Sequence, residues 1–405
     1  MALVVQKYGG TSVGSTERIK AVADRVARAR ARGDRIVVVV SAMAGETNRL
    51  FALAGELSDN PSARETDVLV ATGEQVSAAL LAIRLRALGY PTVSFLAYQL
   101  SIVTDGQHGG ARIKSIDCGR LHAALETGNI AVVAGYQGIS PAGDITTLGR
   151  GASDLTAVAL AAVLKADACE IYTDVDGVYT ADPRLVPNAR KLTEISYDEM
   201  LELASLGAKV MQSRSVEFAK KFGVVFEVRS SLNENPGTIV KEETKSMEEV
   251  VVRGVALDKN QAKITLVGVP DKPGVAARIF KALGDATVNV DMIVQNISHG
   301  TGTPQTDISF TTEKADLLKA QKVIDGLKKD IGIREVITDE KIGKLSIVGV
   351  GMKSHTGVAG KMFQVLAQEG VNIGMISTSE IKISVTIDLA KGEAATKAVH
   401  TAFIG

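Results

Sequence analysis

The stretch VVQKYGGTS, Val4 to Ser12, carries an apolar run straight into a lysine, two glycines and two hydroxyl residues. A strand ending at Lys7 would place its ammonium at the carboxyl edge of a sheet, where open α/β sheets bind ligands. Gly9 and Gly10 permit a close backbone approach. Thr11 and Ser12 can cap a following helix, whose first amides favour an anion. The same residues also suit an ordinary strand-to-helix corner with a solvated lysine. They form neither a Walker A loop, because Lys7 precedes the glycines, nor a GxGxxG fingerprint.

Further clusters follow along the chain. VVVVSAMAGETN (37–48) ends a buried strand at Ser41 and carries Thr47 and Asn48 on a loop of small residues. ATGEQVSAALLAIRLRALG (71–89) puts Glu74 in the first turn of a long helix, where the dipole favours a carboxylate in any case. TTLGRGASD (146–154) crowds Thr146, Thr147, Arg150, Gly151, Ser153 and Asp154 ahead of an apolar helix. An arginine beside a helix N-terminus makes a receptor for carboxylate or phosphate. EIYTDVDGVYTADPR (170–184) ends a strand at Thr173 and Asp174, turns at Asp-Gly, and brings Tyr179, Asp182 and Arg184 soon after; a surface hairpin is the competing reading. Lys209, in SLGAKVM, follows a helix. GVGMKS (349–354) has the look of a P-loop end but lacks the glycine before Lys353, and it belongs to a repeat described below.

Each cluster is weak alone. At the strand ends of one sheet they would line a cleft with lysines, hydroxyls, an arginine and carboxylates, and with no His or Cys obliged to act as nucleophile or base. Phosphoryl transfer to a carboxylate fits such a set, since the acceptor is already ionised at neutral pH. Lysines, backbone amides and a magnesium ion then supply positioning and charge neutralisation.

Holding these groups together requires a sheet with helices on both faces. Strands are predicted at 3–7, 36–41, 91–95, 130–134, 168–173 and 224–228, and helices at 15–31, 73–88, 119–127, 153–165 and 197–221. Continuous β-branched runs such as IVVVV (36–40) indicate strands covered on both faces, hence a largely parallel sheet in an αβα sandwich. The polar stretches SSLNENPGT (230–238) and KEETKSMEE (241–249) mark a domain boundary. Beyond it the chain repeats itself. ITLVGVPDKPGVAARIF (264–280) returns as LSIVGVGMKSHTGVAGKMF (345–363), VNVDMI (288–293) as VNIGMI (371–376), and TDISFTT (306–312) as IKISVTI (381–387). Each copy reads as a ferredoxin-like βαββαβ module. The first has its last strand, REVITDE (334–340); the second ends without one, while EVVVRGVALD (249–258) stands spare ahead of the first. That strand is expected to complete the second module, making the first an insertion within it. The expected domains are 1–243 and 247–405, with module one at about 262–340 and module two at about 341–405 plus 249–258.

Composition narrows the function classes. A length of 405 residues, 45% hydrophobic and 23% charged, describes a packed protein of two or three domains. Lys plus Arg balances Asp plus Glu at 46 each, so no basic field exists to recruit nucleic acid or an anionic membrane. The two cysteines, Cys118 and Cys169, are far apart and the five histidines do not cluster, which argues against a disulfide framework, a protein-built metal cage or a Cys/His pair. The longest apolar runs are too short to span a bilayer, and Lys7 interrupts the first one, so a cytoplasmic protein is expected.

In their order and spacing, KYGGTS, VSAM, the ATGE helix, TTLGRG-SD and YTDVDGVYTADPR resemble the aspartokinases of the amino-acid-kinase superfamily, and the C-terminal repeat looks like their tandem ACT domains. The resemblance covers essentially the whole chain. It implies transfer of the ATP γ-phosphoryl group, with Mg2+, to the side-chain carboxylate of L-aspartate, at the entry to lysine, threonine, methionine and diaminopimelate synthesis. By the same resemblance Lys7 neutralises the phosphoryl group, with Tyr8, Gly9 and Gly10 around it and Asp154 beside it. Ser41, Thr47, Glu74, Arg150, Gly151 and Ser153 hold aspartate. Thr173, Asp174, Tyr179, Asp182, Arg184 and Lys209 form the nucleotide side. Two positions depart from the family's pattern: Ala152 stands where a second glycine is usual, and Leu155 where threonine is common. A methyl at 152 disfavours positive φ.

For the ACT pair the resemblance implies small amino acids bound between modules, lysine and threonine being the expected inhibitors. One site would use Asp271, Gly274, Ala276, Gln295, Asn372 and Ile373; the other would use His355, Thr356, Gly357, Val358 and Asp291. It also implies a homo-oligomer through the ACT domains, or a heterotetramer with a regulatory chain started internally at Met247. Two other readings compete: another kinase of the same fold, which would lack the ACT tail, and an inert amino-acid sensor, against which Lys7, Glu74, Arg150 and Asp174 argue.

Overall fold

The computed structural model describes residues 1–205, 211–242, 251–298, 305–350, 352 and 357–405. The chain forms two compact units. Met1–Tyr179 with Lys191–Lys245 make the first, and Thr180–Arg190 with Ser246–Gly405 the second.

In the first unit the chain runs through β1 (Leu3–Tyr8), α1 (Thr16–Ala31), β2 (Arg35–Val40), α2 (Glu46–Leu57), α3 (Ala63–Val70), α4 (Thr72–Ala87), β3 (Thr92–Phe95), β4 (Val103–Thr104), β5 (Ile113–Ser115), α5 (Gly119–Glu126), β6 (Ile130–Ala134), β7 (Gln137–Ile139), β8 (Ile145–Thr147), α6 (Ser153–Leu164) and β9 (Ala168–Thr173). It continues through β10 (Glu194–Ser196), α7 (Tyr197–Leu203), α8 (Ser213–Phe222), β11 (Phe226–Ser230) and β12 (Thr238–Lys241). Eight strands form one sheet in the order β10-β12-β11-β9-β1-β2-β6-β3. Every neighbouring pair is parallel except β11 with β12.

The valine and isoleucine runs explain this arrangement. β1 and β6 are buried along their whole length because helices cover both faces. On one face Val4, Val38, Val40, Ile130 and Val132 pack against Val22 and Val26 of α1 and Leu81 and Leu85 of α4. Central β1 has β2 on one side and β9 on the other, so the strand order reverses beside it. That is the topological switch point at which such sheets leave a crevice beyond their carboxyl ends.

Several elements depart from the expected ones. The single helix predicted at 197–221 is two, α7 and α8, with 206–210 outside the described residues. The break is local. Ser196 and Glu199 close a capping box that starts α7, and Gln212 takes extended backbone (ψ 128°) to start α8 afresh. Helices α2 and α3 and the small sheet β5-β4-β7-β8 add to the expected elements. In α2 only Leu50 is buried, so it shows no continuous apolar stripe, and the strands of the small sheet are only two or three residues long. By length and composition the stretch Ala63–Ala87 could cross a membrane; half of its most apolar window is buried, and α4 contributes Ala78, Leu81 and Leu85 to the core.

The second unit holds β13 (Val251–Pro270), α9 (Val275–Asp285), β14 (Ile293–Ser298), β15 (Gln305–Glu313), α10 (Leu317–Ile331), β16 (Glu335–Val350), α11 (Val358–Gln368), β17 (Ile376–Thr378), β18 (Lys382–Asp388) and α12 (Gly392–Phe403). One antiparallel sheet, β14-β15-β13-β16-β18-β17, serves both repeats. Its two long central strands span both halves. Val251–Asp258 of β13 pairs with the end of β16 next to β18, whereas Lys263–Val267 pairs with the start of β16. Register shifts between Asp258 and Lys263 separate the two stretches. Each half keeps its own core, one around Ile264, Phe310 and Ile324, the other around Leu345, Met362 and Val385.

Candidate active site

Lys7 is the penultimate residue of β1 and is 8% exposed. Its Nζ lies 2.5 Å from Oδ1 of Asp154. Asp154 is the second residue of α6, where the helix dipole adds to the lysine in favouring a carboxylate. Beyond Lys7 the chain turns on its glycines. The Gly9 amide donates to the Tyr172 carbonyl at 3.1 Å, which ties this corner to the end of β9. A Cβ on Gly10 would stand 2.9 Å from the Ala42 carbonyl oxygen, so only glycine lets the loop after β1 meet the loop after β2. Gly10→Ala is therefore expected to push these loops apart at an overpacking cost of about 1–3 kcal/mol. Steady-state kinetics should show kcat/KM for the carboxylate substrate lower by roughly tenfold or more; unchanged kinetics would mean that the contact is slack.

A cleft of about 260 Å³ opens beside this corner, lined by Gly10, Ser41, Thr47, Glu74, Arg150, Gly151 and Ser153, with Ala42, Met43, Ala44, Gly45, Asn48 and Tyr136. All six residues expected to hold the carboxylate substrate thus come together. Glu74 is 3% exposed in the first turn of α4. Its Oε1 accepts from the Ala42 amide at 3.0 Å, while Oε2 is buried without a hydrogen-bond partner among the described residues. Burial pushes the Glu74 carboxyl up to about 7, against the Ala42 amide, which pulls it down. Arg150 is exposed, donates to Asn48 Oδ1 at 3.0 Å, and lies 5.4 Å over the Phe51 ring.

The Arg150 loop is held from below. Arg214 donates to the Leu148 carbonyl at 2.6 Å, and Gln212 to the Arg150 carbonyl at 2.9 Å. Gly149 and Gly151 take the left-handed conformation, at φ 91° and 78°. Ala152, at φ −76°, does not, so its methyl is free of strain; it and Leu155 are buried in the core beneath the loop. Both departures from the family's pattern are accommodated there.

Tyr136 went unnoticed in the sequence. It is a non-glycine residue at φ 71°, which no local pattern announces, and burial pushes its phenol above the usual tyrosine range. Asn48 stood beside Thr47 and acquires a purpose only through its contact with Arg150, 102 residues away.

The residues expected on the nucleotide side divide. Thr173 and Asp174 lie at the end of β9, next to the Lys7 corner, with Thr173 Oγ1 donating to Asp174 at 3.1 Å. Tyr179 donates to Asp176 at 2.7 Å. Tyr8 does not present its side chain to the cleft. Alternation along β1 turns it away from Lys7, and its ring is fully buried, stacked on Tyr172 at 4.7 Å. Asp182 and Arg184 belong to Thr180–Arg190, which is part of the second unit. There Arg184 donates to Asp182 from its backbone amide, Nε and an Nη, and holds that carboxyl below its usual range. Lys209 lies outside the described residues. Among the described residues no group of three or more His, Cys, Asp or Glu converges as metal ligands.

In the second unit Gly274 and Gly357 open α9 and α11 at equivalent turns of the two modules, followed by Ala276 and Val358. Asp271 is exposed just ahead of α9, Gln295 lies on β14, and Asn372 and Ile373 precede β17. Asp291 forms an ion pair with Lys344, whose side chain is 4% exposed. His355 and Thr356 lie outside the described residues.

Comparison with known proteins agrees with this architecture. The amino acid kinase family profile matches residues 2–229, and the ACT domain profile matches 264–326 and 345–403. The chain is 54% identical over 404 residues to an aspartate kinase of Pseudomonas putida, covering 100% of this chain and 98% of that protein. It is 52% identical over 403 residues to an aspartokinase of Thermus thermophilus, covering 100% and 99%. Among solved structures it is similar to E. coli aspartokinase III in complex with aspartate and ADP, with a TM-score of 0.84, 26% identity and full coverage of both chains. The lysine and aspartate complex of that enzyme gives a TM-score of 0.77 at 27% identity, again with full coverage. The chain belongs to the amino acid kinase family and, within it, to the aspartokinases.

Proposed function

We propose that the cleft binds L-aspartate as a zwitterion and presents its β-carboxylate to MgATP at the Lys7 corner. The observation that carries this reading is the pairing of opposite receptors in one cleft: Glu74, with a buried oxygen that has no partner among the described residues, and the exposed Arg150 guanidinium. Glu74 Oε2 receives the α-ammonium, and Arg150 takes a carboxylate through its planar fork. Ser41, Thr47 and Ser153 supply hydroxyls, and Gly151 clears the backbone beside them. A β-carboxylate oxygen attacks the γ-phosphorus, the bond to the bridging oxygen breaks, and ADP leaves, giving 4-phospho-L-aspartate. The acceptor is already ionised, so the step uses no general base. Lys7 neutralises the oxygens of the group in transfer, and Asp154 holds Lys7 in place. Magnesium arrives with its nucleotide as MgATP. Gly9, Gly10, Thr173 and Asp174 border the phosphates, Tyr179 and Lys209 complete the nucleotide side, and the product feeds lysine, threonine, methionine and diaminopimelate synthesis.

The same reading assigns feedback inhibition to the ACT pair, with lysine and threonine bound at the turns that open α9 and α11. Inhibition requires that they bind the inactive arrangement more tightly than the active one. The exposed isoleucines Ile293 and Ile376, on edge strands β14 and β17 at equivalent places in the repeat, support association through these edges. Internal initiation at Met247 would supply a separate regulatory chain, and an intact-mass spectrum showing only full-length protein in the native host would rule it out.

The deciding assay measures ATP turnover as coupled ADP release, with and without L-aspartate, and with lysine, threonine or both, and traps the acyl phosphate as its hydroxamate. Aspartate-dependent turnover, lowered by the amino acids, is expected. Turnover indifferent to aspartate overturns the substrate assignment, and turnover indifferent to both effectors overturns the regulatory one.

A further inference from the structure

Asp67 lies on α3, outside the cleft lining, and is 2% exposed. Its two oxygens are fully engaged. Oδ1 accepts from Thr147 Oγ1 at 2.5 Å and from the Gly109 amide at 3.1 Å. Oδ2 accepts from the Thr147 amide at 3.1 Å and the Gly109 amide at 3.0 Å, and meets His108 Nδ1 at 2.9 Å. These donors come from the end of β8 and from the loop that precedes β5.

The spacing along the chain gives this carboxylate its meaning. Thr147 ends β8, three residues before Arg150 on the loop that follows, and Asp67 stands seven residues before Glu74, on the helix that leads directly into α4. One buried carboxylate therefore fastens the helical segment carrying Glu74 to the loop carrying Arg150. A second tie runs in parallel, from Gln137 Nε2 to the Ala71 carbonyl at the junction of α3 and α4, at 3.1 Å. Tyr136, which lines the cleft, immediately precedes Gln137 of that second tie.

We propose that Asp67 is a positioning residue for the amino-acid substrate, fixing the separation between Glu74 and Arg150 through its bonds to Thr147. The inference rests on the assignment of those two residues to aspartate. A receptor for a zwitterion must hold two charged groups at one spacing, and displacing one of them by about 1 Å is enough to cost up to roughly a hundredfold. Lys7 is not among the residues lining the cleft and shares no bond with Asp67 or Thr147, so loss of the anchor falls on the amino-acid substrate.

The test uses the full-length protein and separate titrations of aspartate and MgATP. Asp67→Ala and Thr147→Val are expected to raise KM for aspartate by about tenfold to a hundredfold. KM for MgATP should stay within about twofold of the parent value, since neither bond touches the Lys7 corner. Thr147→Ser keeps the hydroxyl and should restore the aspartate KM. Asp67→Asn should lie between, because its amide can donate to the Thr147 hydroxyl while its oxygen keeps the backbone amides. If Asp67→Ala does not fold, Thr147→Val against Thr147→Ser decides alone. A parallel rise in both KM values, or a Thr147→Ser as impaired as Thr147→Val, overturns the positioning role. Glu74→Gln separates the two failures. If it leaves the aspartate KM unchanged, the site assignment is wrong; if it raises that KM while the Asp67 and Thr147 variants do not, the inference is.

Discussion

Lys7→Ala is expected to lower kcat by about a thousandfold or more while aspartate still binds. Removing a single preorganised stabiliser of transition-state charge costs on the order of 10² to 10³ in kcat, and here a second effect adds to it. Lys7 is buried and paired with Asp154 at 2.5 Å, so its loss leaves an uncompensated carboxylate beside the incoming phosphates. The alanine variant thus loses an attraction and gains a repulsion. Restoring neutrality tests this directly: Lys7→Ala combined with Asp154→Asn should fall less than the product of the two single effects. Single-turnover kinetics would separate chemistry from binding. A Lys7→Ala protein with kcat within tenfold of the parent, or one that loses aspartate affinity and keeps kcat, would sink the role assigned to this lysine.

Much of the cleft lining is legible in the amino-acid sequence, for a definite reason. The valine runs of β2 and β6 have no alternation, which in a short strand means cover on both faces, and sheets covered in this way place their ligands beyond the carboxyl ends. Ser41 follows such a strand and Glu74 opens a long helix, so topology brings them to one edge, whereas Arg150 reaches the cleft from the loop after β8 of the small sheet. The orientation of the Tyr8 side chain was legible as well, since period-two alternation next to Lys7 turns its ring into the core. The grouping of Thr180–Arg190 with the second unit was not legible. It rests on Thr180 Oγ1 with His400 at 2.8 Å, on the Val255 amide to the Thr180 carbonyl at 2.8 Å, and on Arg190 to the Ile404 carbonyl, pairings over 75 to 220 residues that leave no local trace. The sequence repeat revealed two modules, but not that β13 and β16 run unbroken through both, because a strand that serves two cores looks, locally, like two strands.

Glu74→Gln should weaken aspartate by about a hundredfold and remove a pH dependence that the parent protein shows. The parent's Glu74 carboxyl is pushed up to about 7 by burial. An ammonium binds the carboxylate form only, and in doing so draws that value back down. In the unliganded protein at about pH 6, roughly a tenth of Glu74 is ionised, so KM for aspartate should be about tenfold higher than above pH 8, where ionisation is complete. The expected profile of kcat/KM rises through one ionisation near neutrality and then levels. Glutamine keeps the shape and loses the charge, so its profile should be flat and low. A parent profile without that ionisation, or a glutamine variant that retains it, would assign the titration to another group. Stability should move the other way. A folded-state value above the unfolded one means that the folded protein holds this proton more tightly, so its contribution is present below about pH 4.5 and is lost as pH rises through about 7. At about pH 8 the unliganded parent carries a buried carboxylate with one oxygen that has no partner among the described residues, and Glu74→Gln should melt no lower than it does. Addition of aspartate at one fixed concentration should then raise the melting temperature of the parent more than that of the variant, because only the parent holds a charge that the substrate can neutralise.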